Sequence, residues 1–140
     1  MPEKKTLERA RKDKAEGKAP TTQAGEFVRE EMEHIREGKH GASSPQQAIA
    51  IGLSKARRAG VELPPPRKGT TSEATRKKAE RDLDKAHKET KPSAKRSRAR
   101  VNALKKEPLS AASKTALSKH AKQVAARRRT RGKVTSSRAR

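Results

Sequence analysis

The sequence predicts a mainly α-helical chain with extensive disorder: a small αα-hairpin over about residues 22–60, conditionally helical basic arms after it, and no sizeable core. Three observations carry that prediction. Apolar residues make up 29% of the 140 and charged residues 39%, and Phe27 is the only aromatic. Apolar positions recur at helical spacing in short stretches, and proline or glycine punctuates them. Ordering a residue costs about 1.5 kcal/mol against about 25 cal/mol per Å² of apolar burial, so segments built mainly of alanine and lysine stay in deficit.

Four regions follow: a polar N-terminal helix or arm (1–20), the hairpin unit (21–66), a charged helix and linker (67–90) and a basic tail (91–140). In the first, Thr6–Glu16 has helix formers but only Leu7, Ala10 and Ala15 on an apolar face, which predicts a frayed helix ended by Gly17 to Pro20. The hairpin's first helix is expected over Gln23–Glu37, capped by Thr21 or Thr22. It places Ala24, Phe27, Val28, Met32 and Ile35 on one side and stops at Gly38.

Ser44-Pro45-Gln46-Gln47 has the pattern of an N-cap, a proline at the first helical position and a glutamine three residues after the cap. The helix it opens runs to about Ala59 with Ala48, Ile49, Ile51, Leu53 and Ala56. Gly52 in its middle costs about 1 kcal/mol against alanine, which a close helix approach would justify. Val61 and Leu63 can fold back to close the unit, and Pro64-Pro65-Pro66 is extended. A two-helix unit of this size is marginal alone, so a homodimer or a protein partner on the face of Phe27, Val28, Met32, Ile35, Ile49 and Leu53 is an open expectation. Beyond the prolines, helices are expected over Ser72–Lys88, Ala94–Lys106 and Ser110–Arg129, kept partly unfolded by charge repulsion.

Charge divides the chain sharply. Residues 1–66 carry 13 bases and 10 acids, and residues 67–89 carry 8 and 5. Residues 91–140 carry 17 bases and Glu107 alone, so 16 of the formal +22 lies in the tail. Such a segment repels itself until a polyanion neutralises it. The candidate nucleic-acid contacts are Lys91, Lys95, Arg96, Arg98, Arg100, Lys105, Lys106, Lys119, Lys122, Arg127, Arg128, Arg129, Arg131 and Lys133, with Lys55, Arg57 and Arg58 as secondary contacts. The tail has no aromatic ring for base stacking, so phosphate binding without sequence preference is expected, with DNA favoured over RNA. A helix-turn-helix reading of residues 22–60 lacks the third helix that supports a recognition helix.

No catalytic constellation is visible, and neither an enzyme nor a cofactor is expected. There is no cysteine, which excludes disulfides, thiolate metal sites and cysteine nucleophiles. His34, His40, His87 and His120 include no i,i+4 pair, so no metal site is expected either. No apolar run approaches the roughly 20 residues of a membrane span, and the start has no apolar stretch, which predicts a cytoplasmic protein, nucleoid-associated if bacterial.

Met32 to Lys39, followed by Gln47-Ala48-Ile49-Ala50-Ile51-Gly52-Leu53-Ser54-Lys55-Ala56-Arg57, resembles a family of small basic bacterial and phage proteins of unknown function, with Gly52 where alanine is usual. Some longer relatives in that family are labelled plasmid stabilization proteins, which implies a DNA-linked role. The tail is similar in composition to bacterial histone-H1-like arms. The favoured reading is a non-enzymatic DNA-binding protein of nucleoid-architectural or plasmid-maintenance type. The alternative is a protein-interaction module whose hairpin binds a partner while the tail serves solubility or localisation.

Overall fold

The computed structural model describes residues 2–88 and 93–138, with side chains as far as Arg131. Its helices are α1 (Lys4–Ala15), α2 (Pro20–Arg36), α3 (Pro45–Arg58), α4 (Glu73–Lys88), α5 (Ala94–Lys105) and α6 (Lys114–Arg138), with a one-turn 3₁₀ helix at Leu109–Ala112. Proline at the first position opens both α2 and α3. For α2 this places Thr21 and Thr22 inside the helix, and Ala19 is the cap residue without a side-chain bond. Ser44 caps α3, its Oγ accepting from Gln47 N at 3.2 Å. Gln47 reaches back one residue further than a capping box requires, accepting from Ser43 N at 2.7 Å.

α2 and α3 run antiparallel at short range. A Cβ on Gly52 would lie 2.6 Å from Val28 Cα, so the two backbones touch where the glycine sits. α1 packs on α2, and α4 packs on α3. Buried apolar residues form two clusters that share the α2–α3 interface. The first joins Ala10, Ala24, Phe27, Ala56, Val61 and Leu63, with Leu7 and Leu53 at its edge. Val61 and Leu63 do fold back, and Phe27 is fully buried between them and α1, which contributes about 1.5–3 kcal/mol. The second joins Met32, Ile35, Ala42 and Ala48 to Ala111 and Ala112, with Val28, Ile49 and Leu117 beside them.

The second cluster overturns the expected fold class. The protein is mainly helical and packed through long-range contacts, rather than a hairpin with extensively disordered arms. Nor is the core confined to the hairpin, because the chain between α5 and α6 is built into it. Gly41 N donates to Leu104 O at 2.9 Å, Ala42 N to Pro108 O at 3.0 Å, and Arg36 Nε to Ala112 O at 3.0 Å. A Cβ on Gly41 would stand 2.0 Å from Glu107 O. Alanines succeed here because a short side chain lets backbone meet backbone, so hydrogen bonds and tight packing replace the bulky aliphatics that the segment lacks. The last helix accordingly starts at Lys114 rather than Ser110: Ser113 Oγ accepts from Ala116 N, and Ala112 goes into the core.

Candidate nucleic-acid interface

The basic residues of the two halves sit in different surroundings. Ion pairs are concentrated ahead of residue 83. Arg9 meets Glu26, Lys18 meets Asp13 and Glu16, Arg29 meets Glu33, and Arg76 meets Glu73 and Glu80. Hydrogen bonds donated to Asp13 and then to Glu16 hold the Lys18 ammonium well above the ordinary lysine range. Lys39 is likewise raised, chiefly by its bond to Glu37.

The bases proposed as secondary contacts are committed within the fold. Lys55 is paired with Glu31, which is 1% exposed. Arg57 is 7% exposed and donates to Leu63 O at 3.3 Å and Pro64 O at 3.1 Å, and burial lowers its pKa. Arg58 Nε donates to Asp82 Oδ1 of α4 at 2.9 Å, and Asp82 is itself buried. α1 supplies a third helix beside α2 and α3, but the basic end of α3 is turned inward and covered by α4. It offers no uncovered recognition helix.

The tail contrasts with this. Lys95, Arg96, Arg98 and Arg100 lie on α5, Lys105 ends it and Lys106 is its C-cap. Lys119, Lys122, Arg127, Arg128, Arg129 and Arg131 lie on α6. All are exposed, and α5 buries no residue at all. Apart from Arg131, which has a contact of its own, they make no ion pair among the described residues. Lys91 and the side chain of Lys133 lie outside the described residues.

Leu117, His120 and Val124 are half-buried and mark the side of α6 that faces the body, where it meets α3 and the 3₁₀ turn. Another flank forms an open hollow lined by Lys114, Ser118, Lys119, Lys122 and Gln123. Lys114, which is not among the candidates that the sequence offers, joins Lys119 and Lys122 on this flank. From Arg127 to Arg131 the arginines point around the helix axis, so no single face is cationic.

The face proposed for a partner is consumed internally. Phe27, Met32 and Ile35 are buried, and Val28, Ile49 and Leu53 are partly buried against the two clusters. Among the described residues no helix is long and apolar enough to cross a membrane. A second grouping was invisible in the sequence: His34 and His40 meet edge to face with ring centres 6.2 Å apart, beside Glu31. Six residues apart, they cannot share a helix face. They meet because Gly38, at φ +77°, ends α2 in a Schellman turn, with Gly38 N donating to Ile35 O and Lys39 N to His34 O.

The profile of a family of unknown function (DUF6496) matches residues 14–68, the stretch from the end of α1 through α3 and the prolines. No curated protein and no solved structure matches the chain.

Proposed function

We propose that the protein is a non-enzymatic, sequence-nonspecific nucleic-acid-binding protein that coats phosphates with the bases of α5 and α6. The observation that carries this reading is the contrast in charge pairing: the ion pairs among the described residues all lie ahead of residue 83, whereas the candidate bases of α5 and α6, Arg131 apart, stand exposed without an acidic partner. Helices bearing cations on several sides suit a polyanion whose charge is continuous.

Duplex DNA is favoured. α6 spans about 37 Å at ~1.5 Å per residue, close to the ~34–36 Å of one duplex turn. The chain has no aromatic residue beyond Phe27, which is buried, so it lacks stacking platforms for single strands. Nucleoid architecture and plasmid maintenance are the settings in which such binding fits the family resemblance. The alternative of a partner-binding hairpin draws no support from the packing, since its apolar stripe already lies against the protein's own helices.

Salt titration tests the proposal. The full chain is titrated on labelled duplex DNA, single-stranded DNA and RNA by fluorescence anisotropy over a range of ionic strength. Eight phosphate contacts give a log–log slope near about −7 on duplex. Salt-independent affinity, or tighter binding to single-stranded RNA, would sink it.

A further inference from the structure

We infer that the α2 C-terminus holds a divalent transition-metal site, of the zinc class, with Glu31, His34 and His40 as ligands. One ligand atom from each of these residues lies within 4.8 Å of the others. A tetrahedral ion with bonds of about 2.0–2.1 Å needs ligand atoms about 3.4 Å apart, which small side-chain rotations supply. His40 Nε2 and Glu31 Oε2 are already 3.2 Å apart.

The hydrogen bonds around the rings orient them as ligands. His40 Nδ1 is 2.9 Å from Gly41 O, and a carbonyl only accepts, so Nδ1 carries the proton. In the neutral ring Nε2 is then a lone pair directed at the Glu31 carboxylate. That approach is repulsive unless a proton on Nε2 or a metal cation sits between them. His34 Nε2 is 3.0 Å from Glu3 Oε1, so a proton there leaves Nδ1 as the available donor atom. Each imidazole is thus oriented by an oxygen on its far side, one a carboxylate and one a backbone carbonyl, which is how metal-bound histidines are usually held.

Glu30 supplies the second line of evidence. It is 3% exposed, its Oε1 accepts from Glu3 N at 2.6 Å, and its Oε2 is buried without a partner among the described residues. Glu3 and Glu30 form an overlapping grouping with His34. Three carboxylates therefore converge on two imidazoles, against the ammoniums of Lys55, held on Glu31 Oε1, and Lys39, 3.7 Å from Glu3. With Glu37, 3.1 Å from Lys39, counted as well, the cluster keeps a formal charge of −2 with neutral rings, and Glu31 Oε2 faces His40 Nε2. Imidazole with carboxylate selects zinc-like ions over magnesium or calcium.

Zinc is titrated into the full-length protein against a chromophoric chelator, and histidine ring nitrogen shifts are followed by NMR. The expected result is saturation at one ion per chain, with shifts at His34 and His40 and none at His87 or His120. H34Q/H40Q loses that saturable binding, H87Q/H120Q keeps it, and Glu3→Gln weakens it about 10- to 100-fold. Circular dichroism without metal shows whether each variant folds, and the wild-type ring shifts decide the matter independently of them. No saturable binding, equal shifts at all four rings, or unchanged stoichiometry in a folded H34Q/H40Q overturns the site and leaves a histidine–glutamate–lysine ion-pair network.

Discussion

The bundle of α1 to α4 and the helices α5 and α6 carry lysine and arginine to opposite ends. In the bundle three bases at the end of α3 are structural parts: Arg58 reaches the buried Asp82, Arg57 closes the carbonyls of Leu63 and Pro64, and Lys55 compensates Glu31. On α5 the same side chains touch almost nothing and the helix buries no residue. The lesson is that basicity in a sequence does not identify an interface. What separates the regions is whether acids were placed to answer the bases.

The largest effect is expected for Arg58→Ala, which leaves the Asp82 carboxylate buried without its partner and costs about 3–5 kcal/mol in chemical denaturation. Its DNA salt slope should stay at the wild-type value. Asp82→Ala should cost less, since the Arg58 side chain is 35% exposed and can rehydrate. Next comes the triple substitution of Arg127, Arg128 and Arg129 to glutamine. It should lower the salt slope by about 3 and duplex affinity about a hundredfold at physiological salt, with melting temperature unchanged or raised. Equal loss of binding in Arg58→Ala, or a large loss of stability in the triple variant, would erase the distinction.

Gly41→Ala probes the seam between the regions. Its new Cβ meets Glu107 O, so the α5–α6 connection must move, at about 1–3 kcal/mol. Hydrogen exchange at the Ala42 amide, which donates to Pro108 O, should quicken while the Val61 amide stays protected. The smallest effect concerns Lys18. Its folded pKa is raised by Asp13 and Glu16, so its contribution is complete below the ordinary lysine value of about 10.4 and is lost as pH rises through the raised one. Lys18→Met should remove that part of the alkaline decline in melting temperature and leave neutral-pH DNA binding alone.

Much of the bundle was legible because its signals are local. Ser44-Pro45 announces α3, Gly38 announces the end of α2, and Gly52 marks where Val28 comes close. The basic tail was legible as charge. What could not be read were encounters across long stretches of chain. Ala111 and Ala112 look like filler in a lysine-rich segment, and nothing local says that Arg36, 76 residues away, will bind the Ala112 carbonyl. His34 and His40 failed a test of helical spacing because the chain turns between them. Alanine hides packing from any reading that weighs side chains by bulk, since its contribution lies in how near it lets two backbones come.

The division of the core into two clusters also sets an order in time. Everything in the first cluster has been synthesised once Leu63 is made, so Phe27 can be covered while the rest of the chain is still on the ribosome. Ile35 waits for Ala111 and Ala112. At roughly 5–20 residues per second, the intervening stretch of nearly 50 residues takes on the order of 2–10 seconds. For that interval the nascent chain presents a half-built apolar floor, and the strongly basic segments that follow are what emerges beside it.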